Sequence, residues 1–132
     1  MLEAEIAFIT CIEDLMEEVE LLVKRATERM IEKGASDLRE IDAPEPQWLN
    51  KTFARLTYDD AFNVLVNHAD RLQRPIKHGE AFSKEHELFL VQHNDGVPVF
   101  VINWPKVIKP FYMKECADDA SKVSDEQMMR TP

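Results

Sequence analysis

Ile12, Leu15, Met16, Val19, Leu22, Val23, Ala26 and Met30 recur at three- and four-residue steps, a spacing that only an α-helix gathers onto one face. The stripe predicts one long helix ending near Gly34, a residue suited to the position beyond a helix C-terminus. Thr10-Cys11-Ile12-Glu13 precedes it with a capping-box pattern, in which hydroxyl and carboxylate satisfy amides of the first turn. Acids (Glu13, Asp14, Glu17, Glu18) crowd its start and bases (Lys24, Arg25, Arg29, Lys33) its end, complementing the helix dipole. Heptads are not sustained long enough for a coiled coil, so the stripe is expected to pack on a core.

The remaining chain alternates between helix and strand signals. Leu2-Glu3-Ala4-Glu5-Ile6-Ala7-Phe8-Ile9 sets its larger apolar residues at even positions and predicts a strand with Glu3 and Glu5 together on its other face. Asp42-Ala43-Pro44-Glu45-Pro46 marks the stretch from Ala35 to Thr52 as a loop. Thr57-Tyr58-Asp59-Asp60 opens a second helix that runs to about His68, and Ser83 caps a third that runs to about His93 before the Asn94-Asp95-Gly96 turn. Val97-Pro98-Val99-Phe100-Val101-Ile102-Asn103 reads as a central strand covered on both faces, and Phe111-Tyr112-Met113-Lys114 as its neighbour. The resulting expectation is an α+β fold, an antiparallel sheet with packed helices, in a chain whose 132 residues suit one domain. Residues 1–115 carry this pattern, and 116–132 are expected to form a weakly ordered tail.

Composition narrows the chemistry. A formal net charge of −9 repels phosphate backbones, so direct nucleic-acid binding by this chain is not expected. No apolar stretch approaches the roughly 20 residues that span a bilayer, and Glu3 and Glu5 stand where a signal peptide would be basic, so neither membrane nor targeting segment is expected. Cys11 and Cys116 form no CxxC pair, which fits a reducing compartment. His68, His78, His86 and His93 lack metal-ligand spacing, and His86-Glu87-Leu88-Phe89-Leu90 fails the HExxH pattern at its last residue, so no metal ligand is assigned. The three glycines build no phosphate-cradling loop.

Four ordered blocks nevertheless look familiar. Met1-Leu2-Glu3-Ala4-Glu5-Ile6-Ala7-Phe8 with the following helix resembles the end of motif 2 in class II aminoacyl-tRNA synthetases of the aspartate/asparagine/lysine group. Phe53-Ala54-Arg55-Leu56-Thr57-Tyr58-Asp59-Asp60-Ala61 is similar to that family's strand-to-helix segment, and Ser83-Lys84-Glu85-His86-Glu87 to the helix start of its asparagine branch. Pro98 to Pro105, then Ile108 to Lys114, resemble the paired strands "P-V-x-V-x-N-Y-P" and "I-K-x-F-Y-M-R". The likeness is greatest to bacterial and organellar asparaginyl-tRNA synthetases.

The resemblance implies a protein that activates asparagine with ATP and Mg2+ and charges tRNA, working as a homodimer in the cytoplasm or the mitochondrial matrix. It further implies that Glu3 contacts the substrate α-ammonium and that Tyr112 lies near the amino-acid pocket, with Glu5 and His86 beside it or behind it. No catalytic residue is assigned. Motif 1, the motif 2 arginine, the anticodon-binding domain and motif 3 have no match here, so this chain alone is expected to hold neither ATP nor Mg2+ tightly. Two functional expectations follow: a partial asparagine-tRNA ligase catalytic domain, or a stand-alone, non-catalytic interaction module descended from one.

Overall fold

The computed structural model describes residues 6–9 and 11–129, with the backbone alone for 125–128. The chain falls into two compact units, Met1–Asn50 and Lys51–Pro132.

The first unit is built on α1 (Ile12–Lys33), the long helix the stripe predicts. Its first turn is closed from Cys11, whose amide donates to the Asp14 carboxylate at 3.4 Å. Thr10 lies outside the described residues. The stripe is only partly used, because Met16 is buried while Leu22 and Met30 stay about half exposed. Glu20 is buried as well, at a position where an unpaired carboxylate would be costly, and Lys24 meets it at 2.7 Å. At Gly34 the amide closes back onto the Met30 carbonyl (2.8 Å) and the carbonyl accepts from Leu38 (2.9 Å), so a short helix, α2 (Ala35–Glu40), begins inside the segment expected to be loop. Pro44 and Pro46 still keep the following residues out of a helix.

The expected N-terminal strand is not found where the chain is described. Residues 6–9 form no strand, Ile6 and Phe8 are exposed rather than buried, and Phe8 has φ 65°, outside any strand conformation. Glu3 and Glu5 lie outside the described residues.

The second unit is a three-stranded sheet in the order β1 (Ala54–Thr57), β2 (Val99–Pro105), β3 (Lys122–Met129), with α3 (Tyr58–Asn67) and α4 (Lys84–His93) between the first two strands in sequence. The α+β class stands, but the sheet is mixed: β1 pairs parallel to β2, and β2 antiparallel to β3. A parallel neighbour requires a long crossover, and α3 and α4 supply it. Residues 111–114 are not a strand, since both edges of β2 are taken: Phe100 stands opposite Arg55 on one side and Met128 on the other. The segment expected to be a weak tail supplies that second partner, β3, whose Val123 and Met129 are buried.

The core lies on one face of this sheet. Val99, Val101, Trp104, Val123 and Met129 join Tyr58, Ala61 and Leu65 of α3 and Leu90 and Val91 of α4. Phe100 is buried as well and meets Phe53 at 5.9 Å, so β2 is covered on both sides as its unbroken apolar run predicts. Each of these large side chains, fully removed from water, contributes about 1.5–3 kcal/mol.

Candidate functional site

The second unit converges on Tyr58, the first residue of α3. Thr57 caps that helix by accepting the Asp60 amide at 3.1 Å, which points the Tyr58 ring into the core. The ring stacks on Phe82 (5.0 Å, 6°) and leans on Trp104 (5.2 Å). Its hydroxyl donates to the Glu80 carbonyl (2.8 Å) and accepts from the Gly79 amide (3.0 Å), tying the turn before α4 to the start of α3. Gly79 stands at φ 85°, a conformation that a side chain would strain. Burial pushes the Tyr58 hydroxyl above its ordinary range, with the two backbone bonds opposing it.

Trp104 is aimed by a bulge. The β2–β3 register shifts between Ile102 and Trp104, and the intervening Asn103 takes φ 56°, a left-handed conformation that asparagine tolerates. Trp104 thereby enters the core, its indole N–H donating to the Val101 carbonyl at 2.9 Å. The Lys109 ammonium lies over its ring, 4.3 Å from the centroid.

Lys109 belongs to a loop, residues 106–116, whose base is pinned at several points. The Lys106 amide donates to Ser121 (2.8 Å), the Cys116 amide to Lys122 (3.0 Å) and the Ser124 amide to Lys114 (2.8 Å). Lys106 pairs with Glu115, and the Cys116 thiol, which burial pushes up, donates to the Asn103 side-chain oxygen at 3.5 Å. Between these anchors the loop is exposed: Val107 stands 85% exposed, and Phe111 and Tyr112 at the tip 93% and 75%. Large aromatic rings held out on a fixed base form a surface ready to be covered.

A charged cluster joins the helix to the last strand. Asp59 accepts from His78 at 2.9 Å and from Lys122 at 2.6 Å, and these two bonds, His78 first, hold its carboxyl below the usual range. The Asp59 bond in turn raises Lys122, which also reaches Asp119 at 3.7 Å. No sequence signal marked this cluster, because its members come from the start of α3, the turn before α4, and the start of β3 with the turn that precedes it.

His86 and Tyr112 are not brought together. His86 is buried at the N-terminus of α4, accepting the Ser83 amide at Nδ1 (3.2 Å) and meeting the Arg74 carbonyl at Nε2 (2.7 Å). An amide can only donate and a carbonyl only accept, so the ring is neutral with its proton on Nε2. His86 is thus committed to closing the helix start and clasping the preceding loop. Glu85 reinforces the clasp by accepting the amides of Gln73 (2.7 Å) and Arg74 (3.2 Å). Tyr112 meets Phe111 edge-on at 5.7 Å. Among the described residues no three His, Cys, Asp or Glu side chains gather to hold a metal, and no helix is long and apolar enough to cross a membrane.

The model of the tRNA synthetases class II (D, K and N) matches residues 1–131. The chain belongs to this family. It is 35% identical over 122 residues to the asparagine–tRNA ligase of Acholeplasma laidlawii, covering 86% of this chain and 26% of that protein. It is 38% identical over 123 residues to a probable mitochondrial asparagine–tRNA ligase of Dictyostelium discoideum, covering 87% and 26%. Among solved structures it is similar to asparaginyl-tRNA synthetase from Pyrococcus horikoshii complexed with asparaginyl-adenylate, with a TM-score of 0.78, 28% identity, and coverage of 92% of this chain and 27% of that one. The class II chain thus spans about a quarter of the length of the relatives it matches.

Proposed function

We propose that this chain forms part of the catalytic domain of an asparagine–tRNA ligase, contributing the scaffold and one wall of the amino-acid site while the adenylate-forming groups lie elsewhere. The observation that carries the reading is the match, over 92% of the chain, to an asparaginyl-tRNA synthetase holding asparaginyl-adenylate. Tyr112 on its pinned loop is the wall residue, its ring offered outward for a substrate or another part of the enzyme to cover. Glu3, with Glu5 in a supporting role, orients the α-ammonium of asparagine, since a carboxylate stabilises a cation held against it. His86 acts behind the site by holding α4 and the loop before it.

The family is ATP-dependent, and Mg2+ accompanies ATP in it. The described residues do not fit either group. Asp59 and Asp119 are both already engaged by Lys122, a poor donor set for Mg2+, and neither Gly79 nor Gly96 belongs to a glycine-rich phosphate loop. Adenylate formation needs preorganised positive charge around the transferring phosphorus, commonly the largest catalytic contribution. Positioning the amino acid alone leaves no reacting geometry.

The purified chain is therefore expected to show no asparagine-dependent exchange of pyrophosphate into ATP. Exchange clearly above that of a Glu3→Ala variant would place the whole reaction within these residues and refute the reading. Coding DNA that extends this frame into a motif 2 arginine and a "G-G-S-x-R" segment would support a partial ligase over a stand-alone module; stop codons and unrelated sequence on both sides would favour the module. In a cell, tRNA and asparagine are the partners of the whole enzyme, in the cytoplasm or the mitochondrial matrix.

A further inference from the structure

The C-termini of α3 and α4 meet at a pair of histidines that the ligase reading does not use. His68 caps α3, and His93 is the last residue of α4. Their ring centroids are 5.2 Å apart, and Phe89 packs against both, at 5.4 Å from His68 and 6.1 Å from His93. We propose that His68 and His93 form a two-imidazole site for a borderline divalent transition-metal ion at these joined helix ends.

Three features support the assignment. The first is ring orientation: His68 Nδ1 lies 2.8 Å from the Val64 carbonyl, which can only accept, so Nδ1 is the donor and Nε2 is the nitrogen that a metal would take. This is the carbonyl–imidazole arrangement that orients a metal-binding ring. The second is distance, because metal–nitrogen bonds of about 2.0–2.1 Å put two neighbouring rings on one ion roughly 4.5–5 Å apart between centroids, from octahedral to tetrahedral angles, close to the separation found. The third is electrostatic. Two helix C-termini present their negative ends at one place, on a chain of net charge −9, which favours a cation there.

His93 is exposed, so its ring nitrogens are open to a metal from solvent while His68 and Phe89 hold one side of the ring. Imidazole nitrogen selects zinc, nickel or copper over magnesium or calcium. Water supplies the remaining ligands, since no third His, Cys, Asp or Glu joins the pair among the described residues.

The test is calorimetric titration of the 132-residue chain with nickel(II) alone, in a Cys11→Ser background that removes the exposed thiol. One equivalent should bind, His93→Ala should weaken it by about tenfold or more, and His78→Ala should change it by less than about twofold. Because His93 is exposed, its replacement leaves the fold intact, as circular dichroism should confirm. Copper(II) in place of nickel should show two coupled imidazole nitrogens by electron paramagnetic resonance, falling to one in His93→Ala. Equal nickel affinity in the parent and His93→Ala, loss that follows His78→Ala instead, or a single coupled nitrogen in the parent would each overturn the proposal. None of these readouts depends on ligase activity, so the ligase reading can fail without this one.

Discussion

At the scale of single residues, Tyr58 and Asp59 stand side by side and do different work. Tyr58→Phe keeps the stacked ring but strands the Gly79 amide and the Glu80 carbonyl, so it should lower stability by about 1–2 kcal/mol in urea unfolding. Burial raises the Tyr58 hydroxyl, so its contribution is whole below its ordinary value of about 10 and is lost as pH climbs through the folded-state value. The Phe variant should therefore lose less stability than the parent at alkaline pH. Asp59 runs the other way: with its carboxyl held low by His78 and Lys122, its contribution is whole above about pH 4 and fades as pH falls through its folded-state value. Asp59 is 40% and Lys122 28% exposed, so solvent screening limits the pair to about 0.5–1 kcal/mol. Asp59→Asn should remove that amount near pH 7 and flatten the acid limb of stability against pH.

At the scale of elements, caps decide where helices begin. Ser83 accepts the His86 amide and donates its own amide to the His86 ring, so Ser83→Ala should cost about 1 kcal/mol, read as a lower urea midpoint with an unchanged slope. The starts of α3 and α4 were legible because Thr57 and Ser83 are local signals followed by apolar periodicity. The central strand was legible too, since a run from Val97 to Ile102 must be hidden on both faces. Its partners were not. Phe111-Tyr112-Met113 has the composition of a strand, yet the place beside β2 went to Lys122–Met129, whose polar centre of Ser124, Asp125, Glu126 and Gln127 carries no alternation. Hydrogen bonding to an existing strand can order a sequence with little propensity of its own. The family blocks likewise pointed to Tyr112, and the pinned base that presents it came from pairings no spacing reveals. The histidine pair escaped for the same reason, as it joins the ends of two helices rather than two positions on one.

At the scale of the molecule, the hydrophobic cluster lies wholly within Lys51–Pro132, and every strand of the sheet belongs to it. A polypeptide of residues 51–132 should therefore fold cooperatively by itself, with a single urea transition and dispersed amide resonances. A broad, non-cooperative transition would show that the first unit is needed to complete its core. The order of the sheet bears on how such a chain is made. Among the described residues, β1 cannot meet its neighbour β2 until both connecting helices have been made, an interval of a few seconds at about 5–20 residues per second. During that wait the edge of Ala54–Thr57 that β2 will cover is open to any passing chain, and its brevity, only 4 residues, keeps the exposure tolerable.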